Sequence, residues 1–191
     1  MFDPYNWYWL ADDGRVYASK RQLIVDDTDA DYAAWAVNFI APPWPRDDAG
    51  NQTDAALQET LAPYHTLFVN LAFYTADVRW RKEQSGLTLT TGMKIKTDDR
   101  AQAKITGVYD ASLVKADIIT PWHATDGRVH DMDAAEIEQM NYELLTHINN
   151  CFSISAEMLA GIEAGTITTR EQIDAAFAAP MTQARRDWMR K

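Results

Sequence analysis

Cysteine is nearly missing from this chain of 191 residues: only Cys151 is present, which excludes an internal disulfide and any zinc site built from several thiolates. Glycine is sparse as well. The eight that occur are scattered and form neither GxGxxG nor GxxxxGK, so no phosphate-cradling loop follows. A GxSxG elbow, HExxH and an EF-hand loop are also absent. No run of about 18 uncharged apolar residues occurs, so no segment reads as membrane-spanning. Basic residues are few beside the acids, leaving a net charge of −10. That balance disfavours nucleic acid, since binding a polyanion depends on clustered Lys and Arg. Met1 to Leu10 has no basic flank ahead of an apolar run and no small-residue cleavage site, so it does not read as a signal peptide. Synthesis in the cytoplasm is the expectation.

What is present is globular in kind. Hydrophobic residues make up 47% and charged residues 24%, ordinary values for a chain that buries a core. Seven tryptophans and eight tyrosines stand out. Rings of this kind are favoured at protein contacts, and Trp7, Trp9 and Trp35 are the candidate partner-binding residues; an aromatic-rich core is the open alternative.

Three hairpins are readable. In the first, Trp7 to Tyr17, a loop of Asp12, Asp13 and Gly14 sets Leu10 opposite Val16 and Trp9 opposite Tyr17, matching both faces. Ile24 and Val25 suggest a third strand. In the second, a loop of Thr90, Thr91 and Gly92 pairs Leu89 with Met93 and Leu87 with Ile95. The third, Ile119 to Val129, turns at Asp126-Gly127. Helices are expected from Thr28 until before Pro42-Pro43, with Tyr32, Trp35, Ala36 and Phe39 at helical spacing, from Thr53 through Leu61, and from His65 to Gln84. Another starts at Thr97 or Asp98 and reaches about Leu113, with Gly107 inside it where close packing would favour it. The stretch from Ala41 to Gln52, with three prolines, reads as a linker or exposed loop. Up to Pro63 there are eleven acidic and four basic residues, and the expected boundary falls there: an aromatic, acidic module over 1–62 and a second over 63–191.

The longest element runs from after Asp133 to about residue 163. Ile137, Met140, Leu144, His147, Cys151, Ile154 and Met158 recur along it at heptad spacing, a stripe for a core or an oligomer seam. A helix this amphipathic gains most of its stability from packing. Its partner is either the His65–Gln84 helix or the same helix in other copies, three in a trimer. Charged His147 would be costly inside a trimer core, so self-association is expected to weaken on acidification. Thr168 and Glu171 suggest a capping box for a final helix, followed by basic Arg185, Arg186, Arg190 and Lys191.

Candidate chemistry is thin. His123 and His130 with Asp131 and Asp133 could share a metal only if a two-residue loop made the histidines cross-strand neighbours; the loop length of the other hairpins argues against it. His147 lies four residues before Cys151, a spacing that can activate a thiol, but both sit in the apolar stripe. The Asp12-Asp13 and Asp47-Asp48 pairs read as turn residues. Arg79, Arg81 and Lys82 around Trp80 lie in an acidic background and read as self-complementary charge. No catalytic, cofactor-binding or metal residues are expected, and no enzyme activity.

From Tyr74 to Ile173 an ordered series of segments carries a resemblance: Trp80 through Leu87, Thr97 through Gly107, Trp122, Ala124 to Gly127, Met132-Asp133-Ala134, His147, Cys151-Phe152 and Gly165 through Thr168. This stretch resembles a phage and prophage domain of unknown function found beside or within tail-fibre proteins. Tyr8 with its flanking tryptophans, Ser19-Lys20-Arg21 and Asp31 through Trp35 look like the leading segment of small tail-fibre-associated or assembly proteins. The resemblance implies a virion tail protein at the fibre or baseplate that contacts other phage tail proteins, with no catalytic residues to carry over. A homo-oligomer, with three copies as the candidate number, is expected, and neither nucleic acid nor membrane as partner. An assembly chaperone that leaves the mature particle is the alternative. The expected architecture is α+β: small β-hairpins packed on helices, with a long C-terminal helix as spine.

Overall fold

The computed structural model describes residues 2–179. It is an α+β fold with short antiparallel sheets and a long C-terminal helix. The chain divides into two compact units, one through Tyr74 and one from Thr75. The division thus falls twelve residues beyond the compositional boundary at Ala62. Leu67 and Val69 are buried in the first unit's core, and the Gln58 amide holds them there, donating to the Leu67 carbonyl at 3.0 Å and accepting from the Val69 N–H at 2.9 Å. The helix expected from His65 therefore starts only at Leu71.

In the first unit, β1 (Tyr8–Leu10), β2 (Arg15–Ala18) and β3 (Leu23–Asp26) form a meander in chain order. Trp9 pairs with Tyr17 and Leu10 with Val16, and Gly14 takes φ +88° in the turn, as the matching of faces predicts. Both faces of the sheet are covered. Trp9 and Tyr17 lie in one cluster with Trp44, Leu57 and Leu61, while Tyr8, Val16 and Ala18 pack with Tyr32 and Trp35. Helix α1 (Ala30–Ala36) is capped by Asp29, not Thr28, because the Thr28 hydroxyl bonds Asp26 instead. It ends before Phe39 reaches the helical register.

The supposed linker from Ala41 to Gln52 is part of the fold. Leu10 N–H donates to the Pro42 carbonyl and Trp44 N–H to the Leu10 carbonyl, laying this segment along β1. Trp44 is fully buried, its Nε1 donating to the Thr53 carbonyl at 2.8 Å. Thr53 caps α2 (Asp54–Leu61) as expected.

Helix α3 (Leu71–Glu83) precedes the second unit's hairpins. Strands β4 (Leu87–Thr88) and β5 (Lys94–Ile95) pair Leu87 with Ile95, and Leu89 N–H bonds the Met93 carbonyl across the three-residue loop. Asp98 caps α4 (Asp99–Val114). Gly107, singled out for close packing, is exposed, and an added Cβ there would meet nothing. Strands β6 (Thr120–His123) and β7 (Val129–Met132) lead into α5 (Ala134–Glu163), which opens with an Asp133–Glu136 capping box. The last described helix, α6 (Arg170–Ala178), is boxed by Thr169 and Gln172, one residue later than Thr168 and Glu171. The second core gathers both hairpins, Ile105 of α4, and Ile137, Met140 and Leu144 of α5. Arg185, Arg186, Arg190 and Lys191 lie outside the described residues.

Candidate functional site

The tryptophans selected as partner-binding residues turn inward. Trp9 is 4% exposed and lies in the first core. Trp7 and Trp35 are half-buried and meet edge to face at 4.9 Å, with Phe39 stacked on Trp35 and Tyr8 tilted against it. Sequence reasoning left both outcomes open, and these rings are spent on one another. Val37 and Ile40, just beyond α1, are by contrast strongly exposed.

The α5 stripe is likewise filled by its own chain. Ile137, Met140, Leu144, Cys151 and Ile154 are buried, and His147 and Met158 are half-buried. Hairpins and α4 cover the N-terminal half, and α6 packs against α5 through an interface that buries Ile173 and Phe177. Within the chain the stripe is packed chiefly by α4 and α6, and its middle is also approached by the helix expected from His65 to Gln84. From that last helix, α3, the Glu83 carbonyl accepts from His147 Nε2 at 3.2 Å. The His147–Cys151 spacing yields no activated thiol: burial first, and Glu83 second, push Cys151 up to about 11.

A second line on α5 escaped the sequence reading. Tyr142, Leu145, Asn149, Phe152, Ala156 and Leu159 follow steps of 3, 4, 3, 4 and 3, and every one is exposed. The four large side chains are 43% to 51% exposed. The signal was in the sequence, out of phase with the stronger stripe, and the uniform heptad spacing of the first drew attention away from it. The Arg79 guanidinium lies 4.5 Å from the Phe152 ring centroid; Arg79 is itself paired with Glu83 at 2.5 Å. The basic cluster on α3 is thus largely neutralised locally, with Arg81 bonded to Asp77 at 2.7 Å.

The histidine pair does not converge. Ala124 N–H bonds the Arg128 carbonyl, closing a three-residue loop that sets His123 against Val129 and His130 against Trp122. Successive strand residues face opposite ways, so the two rings lie on opposite faces. Among the described residues no group of three His, Cys, Asp or Glu could hold a metal ion.

A cleft of about 520 Å³ lies between the two hairpins and the first turns of α5, with Leu89, Met93, Met132 and Met140 among its lining. His130 Nε2 is buried without a partner among the described residues. The cleft's carboxylates are engaged in holding the fold: Glu143 accepts from the Thr90 N–H and hydroxyl at 2.9 and 2.5 Å, and Glu136 from the Asp133 N–H at 3.0 Å.

A family model described as Domain of unknown function (DUF4376) matches residues 71–179, from the start of α3 to the residue after α6. The chain belongs to this family. No curated protein and no solved structure matches the chain. The DUF4376 segment contains the cleft, the filled stripe and the exposed line on α5.

Proposed function

We propose that this DUF4376 protein is a structural component of a phage tail, made in the host cytoplasm and held at the fibre or baseplate, where it attaches another tail protein. The observation that carries the reading is the exposed line on α5. A helix of 30 residues, about 45 Å long at 1.5 Å per residue, satisfies one apolar stripe within its own unit and offers a second at the same spacing to solvent. Large apolar side chains exposed along one helix face are what a contact site presents. The ordered resemblance from Tyr74 to Ile173 supplies the tail context. A non-enzymatic role is supported by the two best-placed reactive groups: the Cys151 thiol is buried and protonated at neutral pH, and His147 is turned to a backbone carbonyl.

Quantitative mass spectrometry of purified particles tests the reading. A stoichiometric copy number in particles is the expected result. Absence from particles, in cells that express the protein, overturns the virion assignment and leaves an assembly factor that departs before maturation.

A further inference from the structure

Glutamate closes the exposed line of α5 at both ends. Glu138 stands four residues before Tyr142 and Glu163 four after Leu159, so both continue the heptad steps, and both are exposed. Neither has an ion-pair partner among the described residues. Helix α5 carries five glutamates and no lysine or arginine. Glu163 is moreover the last residue of the helix, where the aligned peptide dipoles favour a cation. Its position is locally unfavourable unless positive charge arrives from elsewhere.

These charges discriminate between occupants. A second copy of α5 laid parallel sets Glu138 against Glu138 and Glu163 against Glu163. Laid antiparallel, with the apolar lines in register, it sets Glu138 against Glu163. Either way like charges meet at both ends. A helix with Lys or Arg at its two ends meets opposite charge at both. Asn149, near the centre of the line, is an exposed amide in the same register, and an amide at such a position fixes alignment at some loss of stability.

We propose that the exposed face of α5 receives an amphipathic helix of another tail protein, one whose heptad apolar stripe is bracketed by Lys or Arg and carries an amide opposite Asn149. The partner's identity as a tail protein rests on the function proposed above; the helix chemistry rests on α5 alone. The bracketed line from Glu138 to Glu163 spans roughly 37 Å, so the docked helix is about seven turns long.

A capped synthetic peptide of about 27 residues, matching that span, provides the probe: leucine at the heptad positions, one central asparagine, and lysine at both ends. A control peptide carries glutamate at the ends. Each is titrated into the full chain and followed by fluorescence anisotropy at low and high salt. The lysine peptide is expected to bind about tenfold or more tightly than the control at low salt, with the advantage shrinking as salt screens the ends. The double variant Leu145→Ser/Phe152→Ser should weaken it about tenfold or more while circular dichroism and the melting temperature stay close to those of the parent, because both side chains are exposed. In Glu138→Gln/Glu163→Gln the two peptides should bind alike.

Equal binding of both peptides to the parent chain, or no binding of either, overturns the proposal. So does a concentration-dependent dimer that Leu145→Ser/Phe152→Ser abolishes, which would make a second copy the occupant. Binding that emerges only after removal of residues 180–191 would overturn it in favour of the chain's own basic end. Particle mass spectrometry separates the two readings: a virion protein that ignores the lysine peptide loses this proposal and keeps the tail assignment, and the converse result does the opposite.

Discussion

Burial sets the chemistry of Cys151. The side chain is 1% exposed, and its thiol is raised to about 11 chiefly because the charged form is desolvated. The neutral form therefore prevails across the physiological range, and only the thiolate reacts. Iodoacetamide at pH 8 should label the folded chain far more slowly than the urea-unfolded chain; equal rates would show that the site opens readily. Trp9 follows the same logic. Because its ring is buried among Tyr17, Trp44 and Leu57, Trp9→Ala should lower unfolding free energy by about 3–5 kcal/mol, measured by urea denaturation. A loss below about 1 kcal/mol would return the ring to the surface role first considered for it.

At the scale of elements, two glycines in helices have opposite meanings. Gly107 sits exposed in α4 with open space where a Cβ would go, so Gly107→Ala should stabilise by about 0.5–1 kcal/mol. Gly161 is the position that needs its hydrogen. A Cβ there would lie 2.5 Å from Cγ1 of Ile167, in the turn whose Thr166 and Ile167 N–H groups both bond the Gly161 carbonyl. Gly161→Ala should lower the melting temperature, and opposite shifts in the two variants are the expected result; a rise at Gly161 would mean that Ile167 moves aside freely. The sequence could not rank these glycines, because close approach is decided by a segment that returns from beyond the helix end. The registers of the first two hairpins were legible, since with period-2 side chains one loop length alone matched both faces of each pair, and so was the start of α5 after Asp133. The start of α3 was not. Apolar residues Leu67, Phe68 and Val69 fit a helical pattern, but their backbone is claimed by Gln58 and Gln22. On α5 the stronger stripe was legible, its occupant was not, and the second line became visible only once burial separated the two.

Charge is unevenly distributed over the whole molecule, with acids concentrated before Pro63, and acidification should register there. Asp13 is held below the usual carboxylate range first by the Arg15 N–H and then by its guanidinium. Asp29 is held down first by the Arg21 guanidinium and then by the Tyr32 N–H that it caps. An Asp in the unfolded chain titrates near 3.9. With folded values depressed below that, these groups contribute stability that is fully present above the unfolded value and is lost as pH falls through the folded ones. Acid titration followed by tryptophan fluorescence should therefore show a loss of structure confined to pH below about 4. Asp29→Asn keeps a side chain able to cap α1 but removes both the titration and the charge facing Arg21. The variant should be less stable than the parent at neutral pH and should approach it as pH falls, so that the gap between them closes in acid. A gap of constant size from pH 7 to pH 2 would show that Asp29 acts through capping geometry alone and that its ion pair with Arg21 adds nothing.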